Sequence, residues 1–193
     1  MKEKLRIIVV DDEPIIRMDI VSLLEKAGHE VVAQGIDGFE AIELCQREKP
    51  DIILLDIKME MLDGISAAKI ISRECPETAI ILLTAFNKVE YIEKAKDCRI
   101  SSYLVKPIDE TSLNINIELA VARNKELLKY MQEKEKATER LEVRKVVDKA
   151  KGVLMLKRNM SEEEAYTYIR EISKNRNMAM AKVAKLILSQ YEE

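Results

Sequence analysis

The chain has 193 residues, 47% hydrophobic, 35% charged and only 4% aromatic, with no Trp; this excludes a disordered or membrane-embedded class and leaves room for one ordinary domain plus a small second one. The formal net charge of −3 conceals an asymmetry, because residues 1–138 hold 20 basic and 26 acidic side chains whereas 139–193 hold 12 and 9. An acidic body with a basic end hints at a polyanionic partner for that end.

From Leu5 to Lys106, short apolar runs alternate with amphipathic stretches. Leu5–Val10, Val31–Gln34, Ile52–Leu55, Ile80–Leu83 and Tyr103–Val105 predict five strands, and Ile15–Ala27, Gly38–Arg47, Ile65–Arg73 and Val89–Lys96 predict the helices between them. Continuous apolar strands separated by helices predict an α/β fold with a doubly wound, five-stranded parallel sheet covered on both faces. In such a sheet the ligand site is expected at the carboxyl ends of the strands, near the point where strand order reverses.

From Asp109 to about Asn159 there is no Pro, and no Gly before Gly152, which predicts one very long helix or two helices nearly end to end. Leu113, Ile117, Ala120, Asn124, Leu127 and Met131 follow a 4–3 spacing, the pattern of a coiled-coil seam with one polar Asn. A coiled-coil linker over residues 113–138 is the expectation, with packing of the same residues on a neighbouring domain as its alternative. Beyond Met131 the seam falls on Lys134, Thr138 and Lys145 and weakens. The tail, 139–193, predicts three helices. Leu141–Arg158 is the first, Ser161-Glu162-Glu163-Glu164 is a capping box opening the second, which runs to about Lys174, and Met180–Tyr191 is the third.

Met1–Val10 runs straight into a strand without the pattern of a signal peptide, and no segment approaches ~18 uninterrupted apolar residues. Cys45, Cys75 and Cys98 lie far apart without CxxC or His partners, which supports neither disulfides nor zinc and points to a reducing cytoplasm. His29, after Gly28, reads as a surface turn residue.

Chemistry-bearing residues fall at the carboxyl ends of the predicted strands: Asp11-Asp12-Glu13, Asp56, Thr84 and Lys106. Carboxylates converging from Asp11, Asp12 and Asp56 repel one another unless a hard cation joins them, and an oxygen-only set suits Mg²⁺. Such a metal would keep Asp56 ionised and nucleophilic, while Lys106 offers a cation and Thr84 a hydroxyl to a phosphoryl group.

Val10-Asp11-Asp12-Glu13-Pro14, Asp56 after Ile52–Leu55, Asp63-Gly64, Thr84-Ala85 and Tyr103-Leu104-Val105-Lys106-Pro107 together resemble the receiver domain of two-component response regulators. The resemblance spans roughly residues 5–122, places a receiver at 1–122, and implies a flavodoxin-like sheet. It implies Asp56 as phospho-acceptor for a sensor histidine kinase, Asp11 and Asp12 as Mg²⁺ ligands, and the Lys58 carbonyl completing the metal shell. It also implies Thr84 and Tyr103 as a switch pair and a cis bond between Lys106 and Pro107. Met59-Glu60 stands where the family often has Met-Pro, so the loop shape there departs from the pattern.

Ala150-Lys151-Gly152-Val153-Leu154-Met155, Ser161-Glu162-Glu163-Glu164-Ala165-Tyr166, Ile169-Arg170, Arg176 and Val183-Ala184 resemble the ANTAR domain of bacterial antitermination regulators. The full architecture is similar to the ethanolamine-utilisation antiterminators. This resemblance implies binding of paired hairpin loops in nascent mRNA, which prevents transcription termination. Lys149, Lys151, Arg170, Lys174, Arg176 and Lys182 can supply phosphate contacts, and Tyr166 or Tyr168 can stack on an unpaired base. Met155, Ala165, Val183 and Ala184 read more readily as core, and Gly152 as a close helix-packing point. The family pattern is more basic just after Arg176, where this chain has Asn177, Met178 and Ala179.

A phosphorylation-dependent homodimer binding structured RNA is therefore the expected active form. Its rivals are a DNA-binding helix-turn-helix output, against which stand a missing turn Gly and a weakly basic last helix, and a protein-docking output. An enzymatic output is disfavoured: outside the receiver there is no His, nucleophile elbow or Gly-rich phosphate loop.

Overall fold

The structure is a computed structural model that describes residues 4–85 and 99–191; the predicted helix Val89–Lys96 and Cys98 lie outside the described residues. The elements, in chain order, are β1 (Arg6–Val10), α1 (Pro14–Lys26), β2 (Glu30–Gly35), α2 (Gly38–Glu48), β3 (Ile52–Asp56), α3 (Gly64–Glu74), β4 (Ala79–Thr84) and β5 (Ile100–Val105). They are followed by α4 (Glu110–Arg158), α5 (Glu162–Asn175) and α6 (Met180–Tyr191). Two compact units divide the chain, Met1–Lys129 and Tyr130–Glu193.

In the first unit all five strands pair in parallel in the order β2-β1-β3-β4-β5. The alternation of side chains along a strand splits the apolar runs between two layers. Ile8, Val10, Ile53, Leu55, Ile80 and Leu82 pack with Ala41, Leu44, Ala68 and Ile71 from α2 and α3. Ile7, Val9, Ile52, Leu54, Ile81 and Leu83 pack with Ile20 and Leu24 of α1 and with Leu113, Ile117 and Ala120 of α4. Because both faces are covered, a strand such as Ile52–Asp56 is buried at every position. Helix starts are locally specified: the Asp37 carboxylate accepts from the amides of Phe39 and Glu40 at 2.8 and 2.9 Å, and Asp63 accepts from Ser66 N at 2.9 Å.

Helix α4 is a single 49-residue helix, ended by Asn159 in the left-handed region at φ 51°. The first four seam positions are not available for pairing with another helix. Leu113, Ile117 and Ala120 are receiver core, and buried Asn124 donates from Nδ2 to the Glu77 carbonyl at 2.7 Å. The 4–3 spacing over 113–124 is thus the signature of a helix lying on a sheet, which needs the same one-sided apolar stripe as a coiled coil. His29 is also corrected: it is buried, and its Nδ1 accepts from Leu5 N at 3.4 Å.

The second unit packs the last part of α4 with α5 and α6 around Val147, Ala150, Leu154, Ala165, Ile169, Val183, Ala184 and Ile187. The capping box forms as expected, with Ser161 N donating to Glu164 Oε2 at 2.8 Å and Glu164 N to Ser161 Oγ at 3.3 Å. Among the described residues, no helix is long and apolar enough to cross a membrane.

Candidate functional site

Strand order reverses between β1 and β3, and Asp11 follows the end of β1 while Asp56 ends β3, so the topology alone brings these carboxylates together. Lys106, reached just after β5, closes the group: its Nζ lies 2.7 Å from Asp11 Oδ2, 2.8 Å from Asp56 Oδ1 and 3.7 Å from Glu13 Oε1. Asp11 is fully buried and Asp56 only 5% exposed, whereas Asp12 and Glu13 are exposed. The peptide bond between Lys106 and Pro107 is cis.

Backbone amides orient the carboxylates, Lys58 N donating to Asp56 Oδ2 at 2.9 Å and Glu13 N to Asp11 Oδ1 at 3.0 Å. The Arg17 guanidinium donates to the Asp11 carbonyl at 2.5 Å. Gly64 is required here: a Cβ at this position would stand 1.9 Å from the Asp56 carbonyl oxygen, so only a residue without a side chain lets α3 begin against the end of β3. The departing loop takes its own shape, with Met61 left-handed at φ 64° and Leu62 N donating to the Glu60 carbonyl at 2.8 Å.

Protonation at the site is set by competing effects. Burial raises the pKa of Asp56, as does the neighbouring charge of Asp11, and together they outweigh the Lys106 ammonium and the Lys58 amide that lower it. Burial lowers the pKa of Lys106, but its contacts with Asp11 and Asp56 overcome this and hold it above the ordinary lysine value. An ion pair alone would push the two partners in opposite directions; both rise because Asp56 is removed from water beside a second carboxylate.

The donor set fits a hard divalent cation. Carboxylate oxygens of Asp11, Asp12 and Glu13 lie within 4.8 Å of one another, and among the described residues buried Asp11 Oδ2 has no partner beyond its ion pair with Lys106. Glu13 joins Asp11 and Asp12 in this cluster, and Asp56 stands beside it, linked through Lys106. Thr84 is half-buried at the end of β4, one residue beyond Leu83, the register partner of Asp56, and Tyr103 is half-buried against the sheet core.

In the second unit, Lys149, Arg170, Lys174, Arg176 and Lys182 are exposed, and Tyr166 is 43% exposed. Lys151 departs from this group. Its ammonium sits 2.7 Å from Asp148 and 2.8 Å from Glu162, only 15% exposed, and bridges α4 to the start of α5. Tyr168 is likewise internal: its hydroxyl accepts from Arg158 Nη1 at 2.9 Å, while Arg158 Nε donates to Tyr191 Oη at 2.9 Å. Met155 proves exposed rather than core, and a Cβ on Gly152 would meet nothing within 4 Å, so Gly152 is no packing point. Between α5 and α6, Asn177 adopts φ 49° and does the work of the missing turn Gly, a signal the Asn itself carried.

A model of the response regulator receiver domain family matches residues 7–118, and one of the ANTAR domain matches 135–188. The transcriptional regulatory protein PdtaR of Mycobacterium tuberculosis is 40% identical over 185 residues, covering 95% of this chain and 89% of that protein. Response regulator protein VraR of Staphylococcus aureus is 35% identical over 103 residues, covering 53% of this chain and 49% of its own. Among solved structures, a LuxR-family two-component response regulator from Aurantimonas is 31% identical with a TM-score of 0.59, covering 62% of this chain and 86% of that one. The receiver domain of a sensor histidine kinase from Pseudomonas aeruginosa, solved with a magnesium ion in its active site cleft, is 26% identical with a TM-score of 0.56, covering 62% of this chain and 99% of that one.

Proposed function

Because the chain belongs to the response regulators that join a receiver domain to an ANTAR domain, we propose that it is an aspartyl-phosphate switch whose output unit binds hairpins of nascent mRNA and prevents transcription termination. The observation that carries the switch is the buried bridge from Asp11 through Lys106 to Asp56 at the reversal point of the sheet. An Asp56 carboxylate oxygen attacks the phosphorus of a phosphohistidine on the sensor kinase. The P–N bond breaks, the histidine recovers a proton, and Asp56 becomes an acyl phosphate. When held by Asp11, Asp12 and Asp56 with the Lys58 carbonyl, Mg²⁺ supplies charge that keeps the carboxylates ionised and steadies the phosphoryl oxygens. Lys106 transfers its contact from the Asp56 carboxylate to a phosphoryl oxygen, Thr84 donates its hydroxyl to another, and Tyr103 turns inward after it. The only reactions are phosphorylation and dephosphorylation of the chain itself, in the cytoplasm where transcripts are made.

RNA binding is supported by the ANTAR match and by charge: residues 139–158 hold seven basic and three acidic side chains. A homodimer formed on phosphorylation presents two output units to paired loops and gains avidity, through a surface other than Leu113, Ile117, Ala120 and Asn124. A DNA-binding output is the second reading, favoured by the tight Asn177 turn between α5 and α6. Two experiments test the proposal. Mass spectrometry after acetyl phosphate treatment is expected to find Mg²⁺-dependent phosphate on Asp56, and undiminished labelling of Asp56→Ala removes Asp56 from the mechanism. Filter binding across a salt series is expected to favour structured RNA over duplex DNA, and the reverse preference establishes the second reading.

A further inference from the structure

The solvent face of the last part of α4 carries two features that the fold does not explain. Gly152 stands inside a helix, where glycine is the least favourable residue after proline, yet it has no left-handed backbone to satisfy and no neighbour that a Cβ would strike. One turn further along the same face, Leu156 is 86% exposed. Helical spacing puts Leu141, Lys145, Lys149, Gly152 and Leu156 on one stripe, opposite Val147, Ala150 and Leu154, which face the core. The helix therefore forgoes a Cβ and exposes a leucine side by side, with no internal return for either.

Charge on this stripe is selective. Glu142 is held by Lys145 at 2.8 Å, with Lys149 acting on it only at longer range, and Asp148 by Lys151 at 2.7 Å, while exposed Lys149 makes no close ion pair among the described residues. A bare stretch of helix backbone is thus flanked by an available cation and an apolar side chain.

We propose that this stripe is a nucleotide seat, in which an unpaired base or its ribose lies against the helix at Gly152, with Leu156 against the base and Lys149 on the phosphate. Single-stranded loops are read in this way, by flat apolar contact with splayed bases and charge contact with the backbone. A second copy of the chain fits less well. A two-fold pairing about this stripe gathers Lys145 and Lys149 of both copies into one seam, with little more than Leu141 and Leu156 to bury.

The inference rests on the RNA-binding reading above and deepens it. The test uses the full-length protein, activated with acetyl phosphate and Mg²⁺, and a pool of RNA hairpins sharing one stem with randomised loops; the uninterrupted duplex of that stem is the control. Gly152→Ala, Gly152→Gln and Leu156→Ser are expected to fold, the two Gly152 variants melting no lower than the parent, and to bind the pool about tenfold more weakly, within the range of one lost base contact. Parent-like binding by all three overturns the nucleotide seat while leaving RNA binding intact. If the Gly152 variants alter only self-association in sedimentation velocity, the stripe is an interface between copies and the proposal fails. If the parent does not prefer the pool to the duplex, the RNA reading itself fails and takes this inference with it.

Discussion

Asp56 shows how a single residue is held at a cost to stability for the sake of reactivity. Its pKa in the metal-free fold lies above the usual carboxylate value because of burial and Asp11. Its favourable contribution is therefore complete below the unfolded carboxylate pKa and is lost as pH rises through the folded value, so at neutral pH the ionised group destabilises the fold. Asp56→Asn is expected to melt higher than the parent at pH 7 in the presence of a chelator, with the gap closing as the pH is lowered into the carboxylate range. A gap that widens toward acid contradicts this account. Lys106 behaves differently, since its raised pKa preserves its contribution until the pH climbs past the ordinary lysine value. Gly64 is the steric counterpart of this electrostatic cost. With a Cβ placed 1.9 Å from the Asp56 carbonyl, Gly64→Ala is expected to destabilise the receiver by about 3 kcal/mol or more, as measured by urea unfolding, and to lower the rate of Asp56 phosphorylation by displacing the end of β3.

At the scale of elements, buried polar contacts decide what periodicity leaves open. Asn124→Ala removes the hydrogen bond to the Glu77 carbonyl and is expected to cost about 0.5–1.5 kcal/mol in receiver stability; an Asn124 that served only in pairing between chains would leave monomer stability unchanged. Ser161→Ala removes the hydroxyl of the capping box and is expected to cost the second unit about 1 kcal/mol, visible as a lower melting temperature. The five strands, the long helix and the three tail helices were legible in the sequence because each has one apolar period and an identifiable start or stop, such as Asp37, Asp63 or Ser161. The acidic cluster and Lys106 were legible because they follow strands whose ends a parallel sheet must gather. Periodicity alone could not say what the stripe from Leu113 to Asn124 covers, since a sheet and a partner helix ask for the same pattern. Nor could it show that Lys151 is occupied by Asp148 and Glu162, or that the surroundings of Gly152 are open, because both facts depend on residues distant along the chain.

For the whole molecule, α4 is the one element that both units share. Its N-terminal part is fixed by the sheet and its C-terminal part by α5 and α6, but every residue from 129 to 142 is exposed. Helical structure there rests largely on its own backbone ladder and on local contacts such as Thr138 Oγ1 to the Lys134 carbonyl and Lys145 with Glu142, and helices with little tertiary support are only marginally stable in water. The stretch also holds Lys129, Lys134, Lys136 and Arg140. Brief trypsin treatment of the native protein is therefore expected to cut first between Lys129 and Arg140 and release two protease-resistant fragments, one from each unit. First cleavage outside this stretch contradicts this. Amide hydrogens of the same stretch are expected to exchange well before those of Leu113–Ala120 or Val147–Leu154 on the same helix, so that one continuous helix reports three separate opening free energies along its length.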